Sequence, residues 1–436
     1  MMAMVGKLRG CYAPINAAAL LLPLAAFGVF AHAAELDYPG LPATTQVEAS
    51  LSQHILVLNA ERQLRVAQAQ QRNWNSGDYE FNLRAGSAQR HIASTGQNLK
   101  EWDVALERPL RWLNKAGIDR DIGHATVAAA EYAFGDARHE AARSLLRLWF
   151  AWQQEQAQAD LWQQQQSILQ QQARMAEQRF KAGDAPKLQL NQALAASAQA
   201  GVAQQQAALR AQLARNVLQQ QFPAIKSSET TESPIPRAIE RDLSYWQEQV
   251  MGHNHEVGVA EQQRRVQQLL AQRSRADQVP DPTVGMRYGS DLGGTEKVVG
   301  IYVSMPLSFG QRGAKAESAM QQAAMAADQE LYVKQRLQAD IYAAYTQAVK
   351  SYQTWQQAKT VAEAMRDNAE LVAKAYSLGE SSQSDSLSAH RLALEASLSE
   401  TLAKLDANEA RYRLLLDAHQ LWPLDVAGED ETHGHY

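Results

Sequence analysis

The chain has 436 residues, 20% of them charged, with 42 Lys and Arg against 47 Asp and Glu for a net charge of −5. Gln and Ala are abundant while Gly and Pro collect at a few punctuation points, so extended helix dominates over ordinary compact domains. The absence of any polybasic run excludes a nucleic-acid surface.

The N-terminus reads as a separate text. Lys7 and Arg9 precede an almost wholly apolar stretch over residues 17–30, and Ala31-His32-Ala33 has the small-x-small form of a cleavage site. The pattern predicts a secretory signal peptide over residues 1–33 and a mature chain from Ala34. An uncleaved anchor is the alternative, for which the apolar stretch is slightly short. Cys11 lies ahead of that stretch and is the only cysteine, so the mature chain has no thiol for disulfides, catalysis or lipid attachment. Beyond the leader no window reaches the ~18 apolar residues of a spanning helix. Any crossing of a membrane would fall to strands, and in hydrocarbon only a closed barrel satisfies their backbone.

Residues 44–75 carry Val47, Leu51, Ile55, Leu58 and Val66 at helical spacing, and Ser76-Gly77-Asp78 ends the helix. Residues 79–85 then alternate apolar and polar, a Ser/Thr/Gly/Gln-rich turn follows, and residues 101–107 alternate again. In the second strand Trp102, Val104 and Leu106 face one way, and Glu101, Asp103 and Glu107 the other. Two readings fit: a lipid-facing wall with a wet lumen behind it, or a half-exposed hairpin on a soluble protein. A helix is predicted from about Ala125 to Ala182, interrupted only by Gly135. Leu145, Leu148, Trp149 and Trp152 stripe it, and Trp149, Trp152, Trp162 and Trp355 read as seam packing rather than ligand boxes.

Residues 226–236, rich in Ser, Thr, Glu and Pro, read as a linker, and the text then repeats. Val284, Met286 and Tyr288 alternate with Thr283, Gly285, Arg287 and Gly289; Val299, Ile301, Val303 and Met305 alternate with Val298, Gly300, Tyr302 and Ser304. Residues 314–378 hold neither Pro nor Gly, a run that extends roughly 100 Å as helix, with Ile341, Tyr345, Val349 and Tyr352 on one stripe. Such length implies coiled-coil packing. An aromatic, two residues, a glycine and an acid recur as Phe180…Gly183-Asp184 and Tyr376…Gly379-Glu380, with the glycines 379 − 183 = 196 apart. Pro109-Leu110 and Pro306-Leu307 lie 306 − 109 = 197 apart. Arg84…Ser87 against Arg287…Ser290 gives 287 − 84 = 203, so the two hairpins must differ in length. The organisation expected is therefore a duplication: residues 34–225 and 237–425 as two repeats, each helix, two strands, very long helix, turn, helix, with a flexible tail at 426–436. Four strands are too few to close a spanning barrel of at least ~8, so oligomerisation is forced if the strands span.

Enzyme signatures are missing, and neither a catalytic residue nor a cofactor is expected. His255-Glu256-Val257-Gly258-Val259 opens like a zinc-protease helix, but Val259 stands where the second histidine must be. No phosphate-cradling loop or nucleophile elbow occurs. His253, His255, His419, His433 and His435 invite a metal-binding reading, the tail pair His433 and His435 in particular, but two ligands on a loose tail hold Zn²⁺ or Cu²⁺ weakly.

The duplication, the two hairpins and the aromatic-x-x-Gly turns together resemble the outer-membrane efflux proteins of the TolC type, over essentially the whole mature chain. Leu106-Glu107-Arg108-Pro109-Leu110-Arg111-Trp112 with Asn114-Lys115-Ala116-Gly117-Ile118-Asp119 resembles the cobalt-zinc-cadmium resistance branch. The resemblance implies a membrane α+β fold in which a homotrimer pools four strands per protomer into a 12-stranded barrel above a helical periplasmic tunnel. It also implies a passive duct in the outer membrane, surrounded by its lipid and partnered by a periplasmic adaptor (membrane fusion protein) and an inner-membrane resistance-nodulation-division type pump. The implied cargo is heavy-metal cations, with organic toxins or a polypeptide as the alternative on the same architecture. A soluble periplasmic coiled-coil adaptor is the rival class. In the family an aspartate ring narrows the entrance six and nine residues after the second turn glycine. Here those positions are Asp385, which matches, and Ser388, which does not; Gln189 and Gln192 correspond in the first repeat. A ring of three Asp385 carboxylates would favour cations. Gly183, Asp184, Gly379 and Glu380 are the expected adaptor-docking tips, with ordinary solvated turn acids as the alternative for Asp184 and Glu380.

Overall fold

The computed structural model describes residues 38–112, 114–226, 233–307 and 310–424. The expected signal peptide, most of the linker and the tail with His433 and His435 lie outside the described residues.

Two repeats of one order follow each other: α1 (Thr44–Gln53), α2 (Ile55–Ser76), β1 (Asn82–Ile92), β2 (Gln97–Pro109), α3 (Lys115–Lys181) and α4 (Lys187–Gln221), then α5 (Leu243–Gly252), α6 (His255–Ala276), β3 (Thr283–Asp291), β4 (Glu296–Ser304), α7 (Gln311–Ser377) and α8 (Gln383–Asp417). Corresponding helices have identical lengths of 10, 22, 67 and 35 residues. The helix pairs α2/α6 and α3/α7 start 255 − 55 = 200 and 311 − 115 = 196 residues apart, so the first hairpin carries four extra residues.

Three expectations need correction. The single helix over 44–75 is two, because His54 adopts an extended backbone and its Nδ1 accepts from the Leu56 N–H while the ring stacks on Phe222 at 4.9 Å. The second repeat breaks at the matching place, where Asn254 caps α6 through the Val257 N–H. The first strand starts only at Asn82, leaving 79–81 outside it, and both strands run on past the expected 79–85 and 101–107 into polar residues of the supposed turn, which shrinks to a tight reversal closed by the Gly96 N–H on the Ile92 carbonyl. Finally, α3 begins at Lys115 rather than Ala125 and absorbs Gly117 and Gly123; a Cβ at Gly123 would lie 2.9 Å from Gln71 Cγ, so this glycine sets the close approach of α2.

The 67-residue helices extend about 100 Å. On α7, Ile341, Ala348, Trp355, Ala362 and Ala369 are buried at intervals of seven; on α4, Ala193, Ala200 and Ala207 are. A strict seven-residue seam is the pattern of a left-handed coiled coil, and alanine in it brings backbones close. The helices form one layer. Above, α2, α3, α6 and α7 lie side by side in the order of the strands they adjoin; below, α4 packs on α3, α3 on α8 and α8 on α7. The main core sits mid-length, where Leu145, Trp149, Phe150, Trp152, Phe222, Tyr412 and Trp422 are buried. Trp149 Nε1 donates to the Gly40 carbonyl at 2.8 Å and Trp355 Nε1 to Glu400 at 3.0 Å, while Trp162 packs on Ala159, Ala207 and Ala211, so the tryptophans are packing residues.

The four strands make one antiparallel sheet in the order β1-β2-β3-β4, so the hairpins of the two repeats join through β2 and β3. At ~3.3 Å per residue the 13-residue β2 extends about 43 Å and the nine-residue β4 about 30 Å.

Candidate functional site

Three regions are candidates for function, and the sheet is the first. Leu83 pairs with Leu106, Leu106 with Met286 and Met286 with Ile301, giving one apolar row across all four strands. The next row on that face is Ala85, Val104, Tyr288 and Val299. These side chains are exposed, Ile301 by 79% and Val299 by 71%, and among the described residues no helix packs along them. The opposite face is ionic. Asn82 and Tyr302 both donate to Glu107, at 3.0 and 2.7 Å, Arg287 pairs with Asp103 at 3.5 Å, and Arg90 with Glu101 at 2.6 Å. A soluble hairpin would cover its apolar side and wet its polar one; here the apolar side is the bare one, a patch of the kind that meets lipid or a partner.

The second region is the junction of strands and helices, built largely by the segment around Arg108–Asp119. Lys115, 1% exposed, donates to the Val279 carbonyl at 2.8 Å and to Asp281 at 2.9 Å, and pairs with Asp277 at 2.9 Å. Asp281 also accepts from the Trp112 N–H at 3.0 Å and the Tyr79 hydroxyl at 2.9 Å. Burial pushes the Asp281 carboxyl up, but the Lys115, Trp112 and Tyr79 donors more than offset it and hold the group below the usual carboxylate range. Burial and the same bond raise the Tyr79 phenol to about 12. Asp119, equally buried, accepts from Arg273 at 2.5 Å, and Arg312 donates to the Asp277 carbonyl at 2.7 Å. All four strand–helix connections thus meet in one network. Sequence reasoning quoted Lys115 and Asp119 without their partners; their i, i+4 spacing on a first helical turn after a strand was the available signal.

The third region is the pair of tips. Gly183 and Gly379 take φ of +82° and +81°. Around them the Asp184 N–H reaches the Arg179 carbonyl at 2.8 Å and the Gly183 N–H the Phe180 carbonyl at 3.0 Å. Glu380 to Ala375 at 2.9 Å and Gly379 to Tyr376 at 3.1 Å repeat this in the second tip. Both are helix C-caps that need a left-handed residue, which explains the conserved spacing of aromatic and glycine within the chain. The following N-caps differ. Pro186 makes no side-chain cap, whereas Ser382 and Asp385 form a reciprocal capping box: Ser382 Oγ accepts from the Asp385 N–H at 3.1 Å, and Asp385 accepts from the Ser382 hydroxyl at 2.7 Å and its N–H at 3.3 Å. These donors, the hydroxyl foremost, hold the exposed Asp385 carboxyl below its ordinary range.

Between the tips lies a cavity of 840 Å³ lined from α3, α4, α7 and α8, including Gln189, Ser382 and His390. Arg179 Nη1 donates across it to the Tyr376 hydroxyl at 2.8 Å, linking the repeats. Ser388 instead lines a second groove with Trp162, Arg391 and Glu395, and Gln192 is exposed and borders neither. Asp385 and Ser388 lie one helical turn apart on α8, and Gln189 and Gln192 one turn apart on α4. Asp184 and Glu380 are exposed at the extreme turns. Arg179 and Tyr376 were missed as a pair, though both belong to the repeated turn.

A duplicated single layer of very long helices continuing a four-stranded sheet defines the fold class of outer-membrane channels. No protein-family profile matches the chain, and neither does any curated protein sequence. Solved structures do. The CmeC outer membrane channel of Campylobacter jejuni aligns with TM-score 0.68 at 15% identity over 89% of this chain and 88% of that one. The outer membrane protein VceC of Vibrio cholerae aligns with 0.69 at 15% over 87% and 96%, and CusC, a transmembrane channel, with 0.64 at 15% over 86% and 91%. The chain has the TolC-like fold of these channels.

Proposed function

We propose that three copies of this chain close a twelve-stranded barrel in the outer membrane and, below it, a helical duct through the periplasm that exports cargo without chemistry of its own. The carrying observation is the bare apolar row Leu83–Leu106–Met286–Ile301, backed by the ionic face and ending at the open edges β1 and β4. An outward apolar band and a polar lumen are what a spanning barrel requires, and closure by sister sheets removes both edges. Nine to 13 residues per strand suffice for a ~30 Å hydrocarbon core. The exposed Leu188, Val202, Leu209 and Leu213 along α4 supply a lateral seam for a neighbouring protomer.

Energy comes from partners: a periplasmic adaptor seated on the tips around Gly183, Asp184, Gly379 and Glu380, and an inner-membrane pump of the resistance-nodulation-division type. The cargo class we assign is heavy-metal cations. The Arg108–Asp119 segment supports it by resemblance, and Asp385 supports it by charge: its capping donors hold the carboxyl below its ordinary range, and a ring of carboxylates favours cations. Ser388, Gln189 and Gln192 would complete the entrance without adding charge.

In planar bilayers the purified trimer should pass a cation-selective current, and Asp385→Ala should raise the conductance and weaken the selectivity. An unchanged current and reversal potential would reject the gate role. A deletion strain sensitive to organic toxins but not to cobalt, zinc or cadmium would reject the cargo.

A further inference from the structure

Three histidines that lie far apart in the sequence meet in the middle of the helical layer. His139 comes from the centre of α3, His255 is the first residue of α6, and His419 follows the end of α8. One ring-nitrogen ligand atom from each lies within 4.8 Å of the other two. The ring centroids are 4.1 Å apart for His139 and His419, 5.0 Å for His139 and His255, and 5.2 Å for His255 and His419. His139 is 3% and His255 7% exposed, and His419 is half-buried, so one side of the cluster reaches solvent.

The surrounding backbone is shaped to this arrangement. A Cβ on Gly135 would sit 2.7 Å from the His255 ring, and one on Gly258 would sit 2.3 Å from the Tyr132 ring, so α3 and α6 interlock only because each presents a glycine to the other's ring. His419 has φ +56° because it is the left-handed residue of the α8 C-cap, its N–H on the Leu416 carbonyl at 3.1 Å and the Gln420 N–H on the Leu415 carbonyl at 2.8 Å, which fixes where its ring projects.

We propose that His139, His255 and His419 form a binding site for a divalent d-block cation, Zn²⁺ foremost. Neutral imidazole is the commonest protein ligand for such ions. A tetrahedral ion with Zn–N bonds of about 2.0–2.1 Å needs nitrogens roughly 3.3 Å apart, so rotations of the three rings that draw the atoms together by at most about 1.5 Å complete the set. The half-exposed side leaves the fourth position to water. His253, whose ring lies 6.0 Å from that of His419, stands nearest outside the set. Since α3 belongs to the first repeat and α6 and α8 to the second, the ion would staple the two repeats together at mid-length. This holds whatever the duct exports.

The full-length trimer, stripped with EDTA and held in detergent, should bind one Zn²⁺ per protomer by calorimetry, and Co²⁺ in its place should show the d–d absorption of a nitrogen-rich tetrahedral site. His139→Gln should weaken Zn²⁺ binding at least tenfold. So should His419→Asn, which tolerates the left-handed backbone and so keeps the fold, and both should abolish the Co²⁺ bands. A His433→Gln/His435→Gln double variant should keep the stoichiometry and spectrum. Absence of stoichiometric binding to the wild type, retention of it in His419→Asn, or its loss in the tail double variant would each overturn the assignment. Conductance plays no part in these readouts, so they stand or fall apart from the export reading.

Discussion

The two ends of the long helices are built in opposite ways. At the strand end, Lys115, Asp119, Arg273, Asp277 and Asp281 tie four connections into one network, with Lys115 and Asp119 almost wholly buried. At the tips the repeats meet around a cavity through the exposed Arg179–Tyr376 hydrogen bond. Breaking a buried ion pair by removing one partner costs several kcal/mol because the other charge is left stranded, whereas an exposed hydrogen bond contributes about 1 kcal/mol or less. Movement in these helices is therefore directed to the tips, the end at which an adaptor would act, while the strand end holds its shape.

The largest effect tests the rigid end. Lys115→Met leaves Asp281 and Asp277 without their buried cation and should destabilise the detergent-solubilised protein by about 3–5 kcal/mol in chemical denaturation; a loss under about 1 kcal/mol would mean the junction is no anchor. Next, Glu409 on α8 is pushed up to about 7 by burial and then by the neighbouring Asp406, against the pull of Arg147 and Arg413. The folded carboxyl keeps its proton up to about pH 7 while the unfolded one releases it near 4.5, so stability falls as pH rises between those values. Glu409→Gln removes that loss, and its melting temperature should exceed wild type at pH 8, by an amount equivalent to about 1 kcal/mol after solvent screening, but not at pH 4. The smallest effect concerns the loose end: Tyr376→Phe removes the acceptor of Arg179 and should raise single-channel conductance by less than tenfold, in keeping with about 1 kcal/mol. An unaltered conductance would show that the tips are held by something else.

Much of the fold was legible because it is periodic. Alternation at Trp102, Val104 and Leu106 separated an apolar from a polar face, and the structure adds that β3 and β4 continue the same rows. The turn glycines Gly183 and Gly379 were visible because a left-handed C-cap restricts the residue type. The hairpin's true length was hidden, since Ser87, Gln89 and Asn98 look like turn residues until cross-strand pairing satisfies their backbone. His54 breaks a helix that its own periodicity supports, because Phe222, a residue 168 positions away (222 − 54), stacks on it. The junction and the histidine cluster were out of sight for the same reason: Lys115 meets Asp281, and His139 meets His419, only through the packing of both repeats. The bonds of Asp385 to Ser382 are a capping role that spacing alone did not suggest.

The central claim is that each sheet, apolar outside and open at β1 and β4, is completed by two sister sheets. Native mass measurement of the detergent-solubilised protein tests it most directly. The account predicts a species of three chains that releases monomers only on denaturation; a monomer that stays in solution without detergent would contradict it.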